Sequence, residues 1–125
     1  MKKFLLSFVN AFKGIRSGFQ ERNMKIHGLA AVIVIAAGLV FNLNVGEWVL
    51  VLILIGLVMA AELINTAVEE LADTVRDELK LDYGATTRAR DVAAGAVLVL
   101  AIIAGLIGLL LFGSKLAAEL RLAGF

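Results

Sequence analysis

Residues 48–73 read Trp-Val-Leu-Val-Leu-Ile-Leu-Ile-Gly-Leu-Val-Met-Ala-Ala-Glu-Leu-Ile-Asn-Thr-Ala-Val-Glu-Glu-Leu-Ala-Asp. The stretch from Trp48 to Ala61 carries no Asp, Glu, Lys or Arg. A helix needs about 20 mostly apolar residues to cross a bilayer. This run is shorter, so it spans only if the helix continues past Glu62 through Leu63, Ile64, Ala67 and Val68. That continuation is polar along one line. With Glu62 at the origin of a helical wheel, Asn65, Glu69 and Asp73 all return to one narrow side of it. Leu63, Ile64, Val68 and Leu71 point elsewhere. The segment thus has to satisfy a membrane over its first half and a polar partner along one face of its second.

Two longer charge-free runs flank it, Ile26–Gly46 and Val92–Ser114. Each is long enough to cross a bilayer unaided. The pattern predicts three membrane helices, over 26–44, 47–75 and 88–113, with a polar turn at Asn42-Leu43-Asn44-Val45-Gly46. Composition agrees. Of 125 residues, 61% are hydrophobic and 18% charged, against about 45–50% and about 25% in an ordinary globular chain. Mean hydropathy is +0.94. A soluble domain this small cannot hide so much apolar surface, which excludes a soluble enzyme, a disordered tail and a nucleic-acid binder. With no cysteine, disulfide scaffolds, zinc–thiolate sites and thiol nucleophiles are excluded as well.

Charge placement sets an expected orientation. Residues 1–25 hold six basic residues and one acid, a net charge of +5. Arg76, Lys80, Arg88 and Arg90 lie in the second loop region. Counting Lys and Arg places both regions in the cytoplasm, and the 42–47 turn and the 114–125 tail outside. The opening run is apolar only briefly and is interrupted by Asn10 and Lys13. It reads as a surface helix over 1–22 rather than a signal peptide. Phe4, Leu5, Phe8, Phe12, Ile15 and Phe19 share one face, with Lys3, Asn10 and Lys13 opposite, the pattern of a helix lying on an anionic leaflet.

A carboxylate inside a membrane helix is costly and must face protein, water or a cation. A polar seam between helices accounts for Asn65. It does not account for stacked acids, which repel unless protons or cations intervene. A hard cation such as Mg²⁺, which takes one or two carboxylates plus phosphate oxygens, meets that demand. Arg88, Arg90 and Asp91 open the third helix. An arginine there can fork onto a phosphate or snorkel to the interface as an anchor. Ala93, Ala94, Gly95, Ala101, Ala104, Gly105 and Gly108 give small residues at four-residue spacing, favouring close helix packing and more than one copy of the chain. His27 reads as an interfacial histidine in contact with water, and Trp48 and Tyr83 as interface anchors.

Three motifs together resemble the prokaryotic diacylglycerol kinase and undecaprenol kinase family of small integral membrane kinases. Glu62-Leu-Ile-Asn65-Thr-Ala-Val-Glu69-x-x-x-Asp73 is similar to the family signature E-x-x-N-[ST]-A-[IV]-E-x-x-x-D. Ala89-Arg90-Asp91-Val-Ala-Ala-Gly-Ala-Val-Leu is similar to A-K-D-x-x-x-x-A-V-L. Phe12-Lys13-Gly-Ile-Arg16, followed by Glu21-Arg-Asn-Met-Lys-Ile-His27, is the third. Glu21-Arg22-Asn23 and Ala93-Ala94-Gly95-Ala96 look more like the undecaprenol branch. The resemblance implies an all-α membrane protein, a homotrimeric helix bundle with three membrane helices and an amphipathic surface helix per chain. Its sites would lie at the cytoplasmic interface between neighbouring subunits. By position, Glu62 would be the general base for the lipid hydroxyl and Asn65 a support for the reacting groups. Glu21 and Glu69 would hold Mg²⁺ on ATP. Asp91, Arg90, Lys13 and Arg16 would belong to the nucleotide site. Arg90 stands where the family usually has lysine, and the 74–87 loop lacks the family's Tyr-His pair.

The implied reaction transfers the γ-phosphate of Mg-ATP to a membrane lipid alcohol, undecaprenol ahead of diacylglycerol. A proton-coupled transporter and a structural or pore-forming bundle are the rivals. The transporter class places its key acid in the first of four spans. The structural bundle gives no reason for Glu62, Asn65, Glu69 and Asp73 to align.

Overall fold

The computed structural model describes residues 2–124; Met1 and Phe125, the outermost positions of the expected surface helix and tail, lie outside them. Four helices occur among the described residues: α1 Lys2–Gly18, α2 Arg22–Val40, α3 Val45–Leu79 and α4 Gly84–Leu122. No strand occurs among them. α2, α3 and α4 are each long and apolar enough to cross a membrane. Little of their apolar surface is buried within the chain, because these side chains are suited to lipid or to another protein.

The helices outrun the apolar segments that announce them. α2 begins at Arg22 and ends at Val40, earlier than the expected 26–44. α3 runs 35 residues, past Asp73 to Leu79. The expected loop at 74–87 shrinks to Lys80–Tyr83, and the 114–125 tail is helical to Leu122. The reason is local. Charged residues such as Glu70, Glu78 and Arg121 end an apolar run without forcing the helix to stop, since Glu, Lys and Arg are good helix formers. With no proline in the chain, nothing forces a break.

What ends the helices is backbone chemistry. α2 closes with Leu43 N–H donating to the Gly38 carbonyl and Asn42 N–H to that of Leu39. α3 closes in the same way, Leu81 to Arg76 and Lys80 to Asp77. These are the paired bonds of a Schellman motif. The left-handed residue is Asn42 (φ 49°) in one and Lys80 (φ 51°) in the other. α3 starts on a capping box: Glu47 N–H donates to Asn44 Oδ1 at 3.0 Å, and Asn44 N–H to Glu47 Oε2 at 2.7 Å. The same Glu47 oxygen meets Lys115 Nζ at 2.8 Å, tying the start of α3 to the far part of α4.

At the other end of the bundle, α1 docks on α3. Gly18 faces Leu63 so closely that a Cβ there would collide with it. Met24, at the start of α2, is fully buried beside the same junction. α1 is thereby held at the level of Glu62. The small residues Ala101, Ala104, Gly105 and Gly108 do not close α4 onto its neighbours. They line a cavity of about 410 Å³ between α2, α3 and α4, because side chains this short leave the space unfilled. His27 borders its end and is half-buried.

Removing the capping box should register as stability. Asn44→Ala is expected to cost about 1 kcal/mol, seen as a lower unfolding temperature of the detergent-solubilised protein.

Candidate functional site

The polar face of α3 is turned inward. Glu62 and Asn65 are each 3% exposed, and Thr66 is buried beside them. Glu69 and Asp73 are half-buried, whereas Glu70 and Asp77 stand more open. Two walls meet at this face. On one side Leu63, Thr66, Ala67 and Glu70 look toward Ala11, Gly14, Ser17 and Gly18 of α1 across a cleft of about 320 Å³. On the other, Asp73 and Arg76 reach the beginning of α4. Glu62 falls between the walls on the helical wheel.

Asn65 Nδ2 donates to Glu69 Oε1 at 3.1 Å. A carboxylate only accepts, so the amide nitrogen must face it. Asn65 Oδ1 is left buried with no partner. An unpaired buried acceptor is costly and uncommon in native structures; here it sits a turn from Glu62 and beside Glu69. Two hard oxygen donors, Asn65 Oδ1 and the Glu69 carboxylate, share one helical turn, and this donor chemistry fits a cation such as Mg²⁺. No group of three or more His, Cys, Asp or Glu among the described residues is arranged to hold a metal by itself. Mg²⁺ does not need one when phosphates supply the remaining oxygens.

Arg90 lies two turns into α4 and meets α3 directly. Its Nη2 donates to Asp73 Oδ1 at 2.6 Å and its Nε to Thr86 Oγ1 at 3.4 Å. Arg76 Nη1 contacts the same Asp73 oxygen at 2.7 Å. The Tyr83 ring lies against both guanidiniums. The structure therefore brings Asn65 to Glu69, and Arg90 to Asp73. Among the described residues no hydrogen bond or ion pair joins Glu21, Lys13, Arg16 or Asp91 to the α3 acids, and all four are exposed. Lys13 and Arg16 stand off the cleft, which their neighbours Gly14, Ile15 and Ser17 line.

Sequence reasoning passed over three participants. Tyr83, read as an interface anchor, also lies against two guanidinium groups. Thr86 lies four residues before Arg90, a spacing at which helical side chains meet. Arg76 follows Asp73 by three, which is also a contact spacing. Both spacings were readable.

One polar face of α3 buries a carboxylate and an amide and carries a half-buried acid held by arginine, in a chain with three helices long and apolar enough to cross a membrane. Comparison with known proteins supplies the class. The family model described as prokaryotic diacylglycerol kinase matches residues 9–112. The undecaprenol kinase of Bacillus subtilis (strain 168) is 39% identical over 117 residues, 93% of each chain. A diacylglycerol kinase of Synechocystis sp. is 35% identical over 105 residues, 83% of this chain and 59% of that protein. No solved structure matches significantly. The chain belongs to the prokaryotic diacylglycerol kinase family, and by class it is a lipid kinase.

Because the chain has no cysteine, single replacements report burial cleanly. Glu70→Cys is expected to react readily with a water-soluble maleimide, and Asn65→Cys to resist labelling until the protein is denatured.

Proposed function

We propose that this chain transfers the γ-phosphate of Mg-ATP to the hydroxyl of undecaprenol at the cytoplasmic face of the membrane. The observation that carries the reading is Glu62, buried at the polar end of a membrane helix one turn from Asn65 and two from Glu69. A lipid alcohol arrives from the bilayer and a nucleotide from water, so the two must meet where an apolar helix turns polar.

Phosphoryl transfer is mostly positioning and charge stabilisation. Glu62 lies about 10 Å deeper along α3 than Glu69, an order that suits hydroxyl first and metal-triphosphate second. Glu62 accepts the hydroxyl proton as the oxygen attacks the γ-phosphorus. The phosphorus–oxygen bond to the β-phosphate breaks, and ADP leaves. Asn65 orients Glu69 through its amide. Glu69, Asn65 Oδ1 and Glu21 are the residues that would hold Mg²⁺; when bound, the ion neutralises triphosphate charge. Arg90 and Asp91, with Lys13 and Arg16 on α1, bind the nucleotide.

Undecaprenol is favoured because the relative acting on it, by its name, is similar over nearly the whole of both chains. Diacylglycerol is the second reading, supported by the Synechocystis relative. A homotrimer accounts for two observations. Broad apolar surfaces of α2–α4 are left unburied within the chain. The exposed Glu21, Asp91, Lys13 and Arg16 would gain partners from a neighbouring subunit. The apolar face of α1, with Phe4, Phe8 and Phe12 exposed, would lie on the inner leaflet.

Incubation of purified protein with labelled ATP, Mg²⁺ and either lipid tests the reading; transfer to neither alcohol would sink it. Glu62→Gln is expected to lower kcat by about 10²–10⁴-fold while ATP binding and assembly persist. Glu69→Gln is expected to shift the Mg²⁺ titration of activity to clearly higher concentration; an unchanged titration counts against the ligand role.

A further inference from the structure

At the end of α3 two arginines share one acceptor. Asp73 Oδ1 lies 2.7 Å from Arg76 Nη1 and 2.6 Å from Arg90 Nη2. The two are not equivalent. Arg76 is spent inside the chain, with Nε and Nη2 both on Asp77 at 2.8 Å. Arg90 is engaged through Nε and Nη2 only, and Nη1 has no partner among the described residues. Its side chain is just 11% exposed. Its guanidinium carbon sits 5.1 Å from the centre of the Tyr83 ring, closer than that of Arg76 at 5.9 Å. The Thr86 hydroxyl that receives Arg90 Nε in turn donates to the Tyr83 carbonyl at 3.3 Å. Arg90 is therefore fixed by an ion pair, a hydroxyl and an aromatic face, with one arm of the fork left over.

We infer that Tyr83, Thr86 and Asp73 are positioning residues that hold Arg90 ready for the nucleotide phosphates, its Nη1 arm being the part that binds them. The inference rests on the kinase reading above. An arginine carries rotamer freedom that binding must freeze. Restraining it beforehand removes that cost from the binding step. A cation over an aromatic face is held without being neutralised. Asp73 does neutralise, but its charge is divided between two guanidiniums, so Arg90 keeps part of its own for a phosphate.

The test uses the full-length purified protein in lipid-containing micelles, with initial rates measured against MgATP and against lipid alcohol. Tyr83→Leu and Thr86→Val are expected to raise KM for MgATP about fivefold. Neither should move KM for the lipid or the unfolding temperature. Tyr83→Phe keeps the ring and Thr86→Ser the hydroxyl, and both are expected to restore the wild-type KM. The inference is overturned if Phe is as damaging as Leu, or if both KM values rise together. It also fails if Asp73→Asn tightens MgATP, since Asp73 would then compete with phosphate rather than position Arg90. Calorimetric titration of MgATP without lipid separates this idea from the kinase reading. Weaker nucleotide binding in Tyr83→Leu, restored in Tyr83→Phe, supports the positioning role even if no lipid is phosphorylated. Equal affinity in all variants ends it.

Discussion

A buried carboxylate with an apolar helix on one side of it and an acidic one on the other is the constraint around which this chain is organised. Glu62 could not be held at the end of a lone membrane helix, because the bilayer would penalise the charge. It is tolerated because α3 does not stop there. The helix continues for about 25 Å beyond it, and the continuing part is clothed by α1 on one wall and the head of α4 on the other. Gly18 permits the first approach by having no side chain to obstruct Leu63. Arg90 secures the second through Asp73. Asn65 then faces Glu69 inside the seam.

Much of this was readable from the chain's residues alone. Charge-free runs identify spanning segments because the bilayer admits few charges; α3 and α4 each contain one, and α2 covers most of the run that starts at Ile26. The alignment of Glu62, Asn65, Glu69 and Asp73 follows from helix geometry alone, and the burial of the first two agrees with it. Helix ends were harder. Hydropathy reports where lipid contact stops, whereas hydrogen bonding decides where a helix stops, and Arg76, Asp77 and Arg121 lie between those limits. One terminus was nonetheless encoded: Asn44 three residues before Glu47 is a capping-box pattern, which a reading of the stretch as a mere polar turn overlooks.

The surroundings of Arg90 were the least legible. Asp73 and Arg90 lie 17 residues apart, and nothing local pairs them. The pairing exists because Lys80 takes a left-handed conformation and turns the chain within four residues. That turn sets Tyr83 where its ring meets both arginines. A tyrosine near a membrane edge carries a strong expectation of interfacial anchoring, and only the fold shows that cations lie against its ring. The family signature names residue types along the chain but not which neighbours this chain's own loop brings to Arg90.

The two ion pairs between α3 and α4 have a mechanical consequence. Glu47–Lys115 and Asp73–Arg90 clamp the same two rods at points separated by about 39 Å along α3. Rods latched at both extremities resist scissoring apart. They can still bow at mid-length, where alanine and glycine leave slack between them. Any breathing of this pair is thereby channelled into the greasy middle of the bundle, while the register of Asp73 against Arg90 is preserved.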